Sequence, residues 1–337
     1  MGICVMNYSQ LSRHRSELMG LAIIGILFCH FKECLLIHQK TIPLYADILS
    51  RGICGVDIFM ILSGVGLYYS FSNDKDILSF YKKRFLRLIP VYLIIGGAYW
   101  LIRDILIDHV KFSQFLEDLF LLSFFRRDTS IFWYIPASII FYLLFPFLYE
   151  YLTNDKILSG ISIGGKTFLL IVIAFISDYL LSRGLSIYQN IAIMTGRFPA
   201  FVLGIYFGSK SYRNWPCSIG ELLIFPAVKV ILHFLVRIPA FGNGLEKLNV
   251  HYLDTLLALL IIEAFLLFIH FVDFRTFRNV LNWYGNITLE VYLLHMSLLS
   301  LFRNPADPAV YFLVCAALPT AGGYFLHKVF NSILRSV

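Results

Sequence analysis

Gly20-Leu21-Ala22-Ile23-Ile24-Gly25-Ile26-Leu27-Phe28-Cys29 carries no charge over ten residues, and the apolar window around it runs from 18 to 36. A helix needs roughly 20 such residues to cross about 30 Å of hydrocarbon, so this window reads as a membrane span. Further windows of the same kind fall at 53 to 72, 88 to 107, 131 to 151, 167 to 182, 191 to 208, 219 to 236, 252 to 272, 287 to 303 and 309 to 331. Charge clusters and Gly, Pro or Asn punctuation separate them. Asp178 interrupts the fifth window, and Pro226 and Lys229 interrupt the seventh. Ten spans use roughly 200 of the 337 residues, which leaves short loops and no large soluble domain. Phe115 to Phe125 is mostly apolar despite Glu117 and Asp118 but half the needed length, so an interfacial or re-entrant helix is expected there.

Composition agrees. The chain is 58% hydrophobic, 17% aromatic and only 15% charged, with a mean hydropathy of +0.74. Soluble globular domains hold nearer 25% charged residues, and disordered chains are poor in aromatics, so both classes are excluded. The expectation is an all-α polytopic membrane protein of about ten helices, one domain over residues 1–337. The six cysteines form no CxxC and no ligand-like spacing with His, so neither a metal site nor a disulfide framework is inferred. The first window lacks a small-residue cleavage pattern and reads as a retained span.

With the N-terminus inside, fifteen of the 28 Lys and Arg fall in inner segments, ten in outer ones and three in or beside spans. The densest block, Lys82-Lys83-Arg84 with Arg87, is then inner, and both termini face the cytoplasm of a cell (inner) membrane. The net charge of +7 suits anionic inner-leaflet lipid and gives no reason to expect a nucleic acid partner.

Ionisable groups inside spans are costly and therefore mark function or helix pairing. His30 sits about twelve residues into the first span, near mid-membrane, where a neutral imidazole is either a general base or a packing hydrogen-bonder. Asp57, in Gly55-Val56-Asp57-Ile58-Phe59, needs an Arg or His partner, and either orients a catalytic His or holds two helices together. Arg84 and Arg87 share a helix face, with Lys82 and Lys83 on its flanks; the cluster suits a phosphate-rich ligand or is an ordinary positive-inside block. Arg197, in Gly196-Arg197-Phe198-Pro199, is expected to face a polar cavity. His295 lies at a depth comparable with His30, in a span that also holds Glu290. Trp133 and Tyr134 read as interface anchors, and Lys229, His233, Asp254 and Glu263 as structural polar groups.

The order of Gly20-Leu21-Ala22 to His30, Gly55-Val56-Asp57-Ile58-Phe59 to Ser63-Gly64, Arg84-x-x-Arg87 to Pro90, Gly196-Arg197-Phe198-Pro199, and Tyr292-Leu293-Leu294-His295 resembles the acyltransferase-3 family. These are ten-span membrane proteins that O-acylate sugars of surface polysaccharides and related acceptors. The resemblance implies that His30 is similar to the family's first-span catalytic His, and that Arg84 and Arg87 match its RxxR pair on the acyl-CoA side. Where the family usually places an Arg eleven positions before that His, this chain has Met19. Arg15, one helical turn earlier on the same face, would supply a guanidinium to a similar spot. The implied reaction moves an acyl group, most simply acetyl, from acyl-CoA to a hydroxyl of a glycan or lipid-linked sugar, without a metal. His30 is then the base, Lys82, Lys83, Arg84 and Arg87 hold the CoA phosphates, Asp57 or Glu290 orients His30, and Arg197 or His295 stabilises the oxyanion. A secondary transporter or flippase of a polysaccharide precursor is the rival reading, since buried His, Asp and Arg serve it equally.

Overall fold

The computed structural model describes residues 4–37, 49–127, 131–184, 188–218, 221, 223–224, 226–228, 242–272, 274–302 and 308–334. Nearly all of them are helical. After a short strand β1 (Cys4–Asn7) and helix α1 (Ser9–Arg13) come α2 (Arg15–Ile37), a 3₁₀ turn (Arg51–Cys54), α3 (Gly55–Asn73) and α4 (Ile77–Trp100). A π-helical turn, Leu101–Ile107, prolongs α4, followed by α5 (Phe112–Leu119), α6 (Leu122–Arg127), α7 (Tyr134–Thr153) and α8 (Ile163–Gly184). Then follow α9 (Tyr188–Thr195), α10 (Phe198–Tyr212), strand β2 (Pro216–Ser218), α11 (Gly242–Phe271), α12 (Arg275–Asn286) and α13 (Thr288–Leu301). The chain ends in α14 (Pro308–Phe312), a second π turn (Leu313–Ala317) and α15 (Leu318–Leu334).

Nine of the ten apolar windows coincide with these helices. Among the described residues seven helical stretches are long and apolar enough to span: Arg51–Asn73, Ile77–Ile107, Tyr134–Thr153, Ile163–Ser182, Tyr188–Tyr212, Tyr252–Phe271 and Leu313–Ser332. Helix α2 has 23 residues, whereas α13 has only 14, about 21 Å at 1.5 Å per residue. Most of the seventh window, with Lys229 and His233, lies outside the described residues. The segment from Phe115 to Phe125 is broken between α5 and α6, each too short to cross. The all-α expectation holds, with one small exception in which β1 pairs antiparallel with β2 and ties the N-terminus to the end of α10.

Lipid is as apolar as leucine, so helices associate here through close packing and polar contacts rather than through the hydrophobic effect. The α3/α10 seam shows this. A Cβ at Gly64 would lie 2.6 Å from the Phe201 carbonyl, and one at Gly204 would collide with the Ile61 carbonyl. Helix α12 presses as closely on α2, where Gly20 meets the Leu281 carbonyl and Gly285 meets the Ser16 carbonyl. Arg278 adds an ion pair to Glu17 at 3.1 Å across that seam. By contrast α8 turns Phe168, Ile173, Ile176 and Leu180 outward, where only lipid would satisfy them. These seams carry His30 on α2, Asp57 on α3, Arg197 at the start of α10 and His295 on α13 to the centre of the bundle.

Candidate active site

Arg15, Arg84 and Arg87 meet at the end of the bundle that holds the N-terminus. They line a cavity of about 80 Å³ together with Met19, Ser63, Tyr134, Tyr142 and Thr288. Among the described residues no carboxylate lines it and none of the three arginines has an ion-pair partner. Arg15 donates from Nε to the Leu62 carbonyl at 3.0 Å, while Arg84 Nε is buried without a hydrogen-bond partner among the described residues. Phe80 and Leu88, both buried, turn this face of α4 inward, and the Arg84 guanidinium lies 5.7 Å from the Phe80 ring centre. Three guanidinium groups without a counter-ion form a ready anion site. Lys82 and Lys83 do not join it. Both are exposed, as Arg87 is, but neither lines the cavity, and Lys83 is engaged by Asp74 at 2.9 Å, a hydrogen bond that holds the Asp74 carboxyl below its ordinary range. The expected four-residue basic face is thus divided, and Arg15 replaces the two lysines.

A second, larger cavity of about 710 Å³ lies towards the other end of the bundle, lined by His30, Arg197, Trp100, Trp133 and Ser300 among others. Ile26, Val56 and Tyr292 line both cavities, so the two are separated by a single layer of side chains. His30 is one helical turn beyond Ile26. Its ring centre lies 5.2 Å from that of His295, which is almost fully buried. His295 Nδ1 is hydrogen-bonded to the Cys315 carbonyl, which can only accept. That bond fixes Nδ1–H as the neutral tautomer and makes Nε2 the basic nitrogen.

Asp57 and Arg197, 0% and 2% exposed, pair at 2.7 Å. Thr255 donates to the other Asp57 oxygen at 2.8 Å, and Asp254 lies 3.6 Å from Arg197 Nη1. Both oxygens of Asp57 are therefore engaged, while Arg197 Nε is buried without a hydrogen-bond partner in a residue that borders the larger cavity. Glu290 is held by His327 at 2.8 Å. The two carboxylates considered for orienting His30 thus have other partners: Asp57 positions Arg197, and Glu290 joins α13 to α15. Asp254, read from the sequence as a structural polar group, and Thr255, which the sequence did not single out, join the site from α11; their partners are far away in the chain. Trp133 and Tyr134, expected at the lipid interface, border the larger and the smaller cavity instead, because α7 packs against the centre.

A family model described as an acyltransferase domain, the acyltransferase-3 family, matches residues 18–328. No curated protein and no solved structure matches the chain.

Proposed function

The chain belongs to the acyltransferase-3 family and is a membrane acyltransferase; from that premise we propose that it moves an acyl group, in the simplest case acetyl, from acyl-CoA to a hydroxyl of a cell-surface carbohydrate. The observation that carries this reading is the pairing of a carboxylate-free three-arginine cavity with a His30-lined cavity one side-chain layer away. A secondary transporter or flippase of a polysaccharide precursor is the second reading, and it has no evident use for a CoA-directed phosphate site beside a mid-membrane His.

Arg15, Arg84 and Arg87 hold the phosphates of the donor at the cytoplasmic end, with both termini on that side of the inner membrane. The narrow pantetheine arm threads the layer formed by Ile26, Val56 and Tyr292 and brings the thioester beside His30. An acceptor hydroxyl in the larger cavity attacks the thioester carbon as His30 takes its proton, so that a C–O bond forms and the C–S bond breaks. The leaving thiolate regains a proton from the His30 and His295 pair. Arg197, already aligned by Asp57, offers its remaining N–H to the developing oxyanion.

The test uses the full chain in sealed liposomes with labelled acetyl-CoA on the arginine side and a carbohydrate fraction of the cell envelope on the other. Label in the carbohydrate that depends on His30 is expected. A wild-type protein that binds CoA but leaves every acceptor unlabelled would overturn the assignment.

A further inference from the structure

Among the described residues the two cavities share the wall residues Ile26, Val56 and Tyr292. Whatever reaches His30 from the arginine side must pass that wall. The three side chains differ in how far they can give way.

Ile26 and Val56 are locked by the seam between α2 and the start of α3. A Cβ at Gly55 would lie 2.5 Å from the Ala22 carbonyl and 3.0 Å from the Ile26 side chain, and one at Gly52 would collide with the Gly25 carbonyl. The backbones cannot part there without losing this packing, and Ile26 and Val56 are buried, branched at Cβ and stiff about χ1. Tyr292 is held differently. Its ring meets that of Tyr134 at 5.5 Å, inclined by 60°, and its hydroxyl donates to the Ile131 carbonyl at 3.3 Å. Of the two cavities, Tyr134 borders the smaller and Ile131 the larger, so the Tyr292 side chain crosses the wall from one to the other. A long, neutral hydrogen bond contributes little net stability, so releasing it costs little.

We propose that Tyr292 is the gate through which the donor arm reaches His30, and that the width it leaves on opening limits the size of the acyl group. The side chain swings off the Ile131 carbonyl. That carbonyl borders the larger cavity and is then free to accept a hydrogen bond, which either amide N–H of a pantetheine arm supplies. The acyl group leads at the tip of the arm, so it crosses first, against two side chains that do not move. A short acyl group passes where a longer chain meets the Tyr292 ring. This inference rests on the acyl-CoA reading of the three arginines and adds the residue that selects among acyl donors.

Calorimetric titration of the full chain in nanodiscs tests it. Adenosine 3′,5′-bisphosphate presents phosphates without the arm, CoA adds the arm, and acetyl-CoA and hexanoyl-CoA add a short and a long acyl group. Tyr292→Phe keeps the ring and removes the latch, so it should bind CoA about twofold to tenfold more tightly than wild type, the net worth of one hydrogen bond, with bisphosphate affinity unchanged. A Tyr292 that merely holds helices together predicts weaker binding of both. Wild-type protein should prefer acetyl-CoA to hexanoyl-CoA by about tenfold or more, and Tyr292→Ala, which widens the passage, should lose that preference. The gate is overturned if Tyr292→Phe binds CoA no more tightly, if bisphosphate affinity moves with it, if wild type shows no preference, or if Tyr292→Ala keeps it. Should Tyr292→Ala fail to bind the bisphosphate, Tyr292→Phe decides alone. Wild-type protein that binds no bisphosphate would overturn the acyl-CoA reading itself, whereas bisphosphate binding without any effect of Tyr292 sinks only the gate.

Discussion

Replacing Arg84 by Ala tests the division of the basic cluster. Arg84 borders the smaller cavity, and among the described residues its Nε has no hydrogen-bond partner and no carboxylate lines the site to compete with a phosphate for the guanidinium. A hydrogen bond to a charged group contributes about 1.5 to 3 kcal/mol, so the variant should bind CoA roughly tenfold to a hundredfold more weakly. Arg84→Lys keeps the charge but loses the two-pronged geometry and should fall between. Arg15→Ala should cost as much, with a further loss of stability, because the bond to the Leu62 carbonyl goes too. Lys82→Ala and Lys83→Ala set the contrast. Both lysines are exposed, so each should change affinity by no more than about twofold, and that effect should vanish as salt screens it. Calorimetric titration of CoA into nanodisc-embedded protein, at low and at high salt, measures all five variants, with melting temperatures to confirm folding. Equal losses for lysine and arginine variants, or none for Arg84, would refute the reasoning. The cluster would then be a general surface potential and the donor site would lie elsewhere.

If His30 is the base, His30→Ala should leave expression, melting temperature and CoA binding near wild type while transfer falls about 10² to 10⁴-fold; activity above about a tenth of wild type would exclude that role. Arg197→Ala leaves Asp57 and Asp254 facing each other without their shared cation, and should cost about 3 to 5 kcal/mol in an SDS unfolding titration. The double replacement Asp57→Leu with Arg197→Met should be milder than that single change, since it removes both buried charges. Gly285→Ala sets a methyl group on the Ser16 carbonyl and should destabilise by about 1 to 3 kcal/mol as α12 is pushed off α2, whereas Gly25→Ala, whose methyl finds its nearest neighbour at 3.6 Å, should be tolerated. A single cysteine placed between residues 74 and 83 on a cysteine-free background should resist an impermeant thiol reagent applied to intact cells; ready labelling there would reverse the assigned orientation.

The sequence by itself determined where nine of the ten expected spans fall as helices, because the thickness of hydrocarbon calls for long apolar stretches and charge is expelled to their ends. It also determined that Arg84 and Arg87 share a face and that His30 and His295 lie at one depth, since both follow from rise per residue within a single helix. What it left open was which faces meet. Arg197 is 140 residues from Asp57 and Thr255 is 198, and no local periodicity encodes that contact. Glu290 read as a possible neighbour of His30 until the packing of α13 on α15 gave it to His327. Lys82 and Lys83 were indistinguishable from Arg84 as charges. Only the burial of Phe80 and Leu88 against the bundle turned Arg84 inward and brought the exposed Arg87 to the wall of the cavity, which neither lysine lines. Length and polarity are set residue by residue along one helix, whereas a site is made by the closest approach of several, and that approach is decided by glycine seams and buried ion pairs between distant segments.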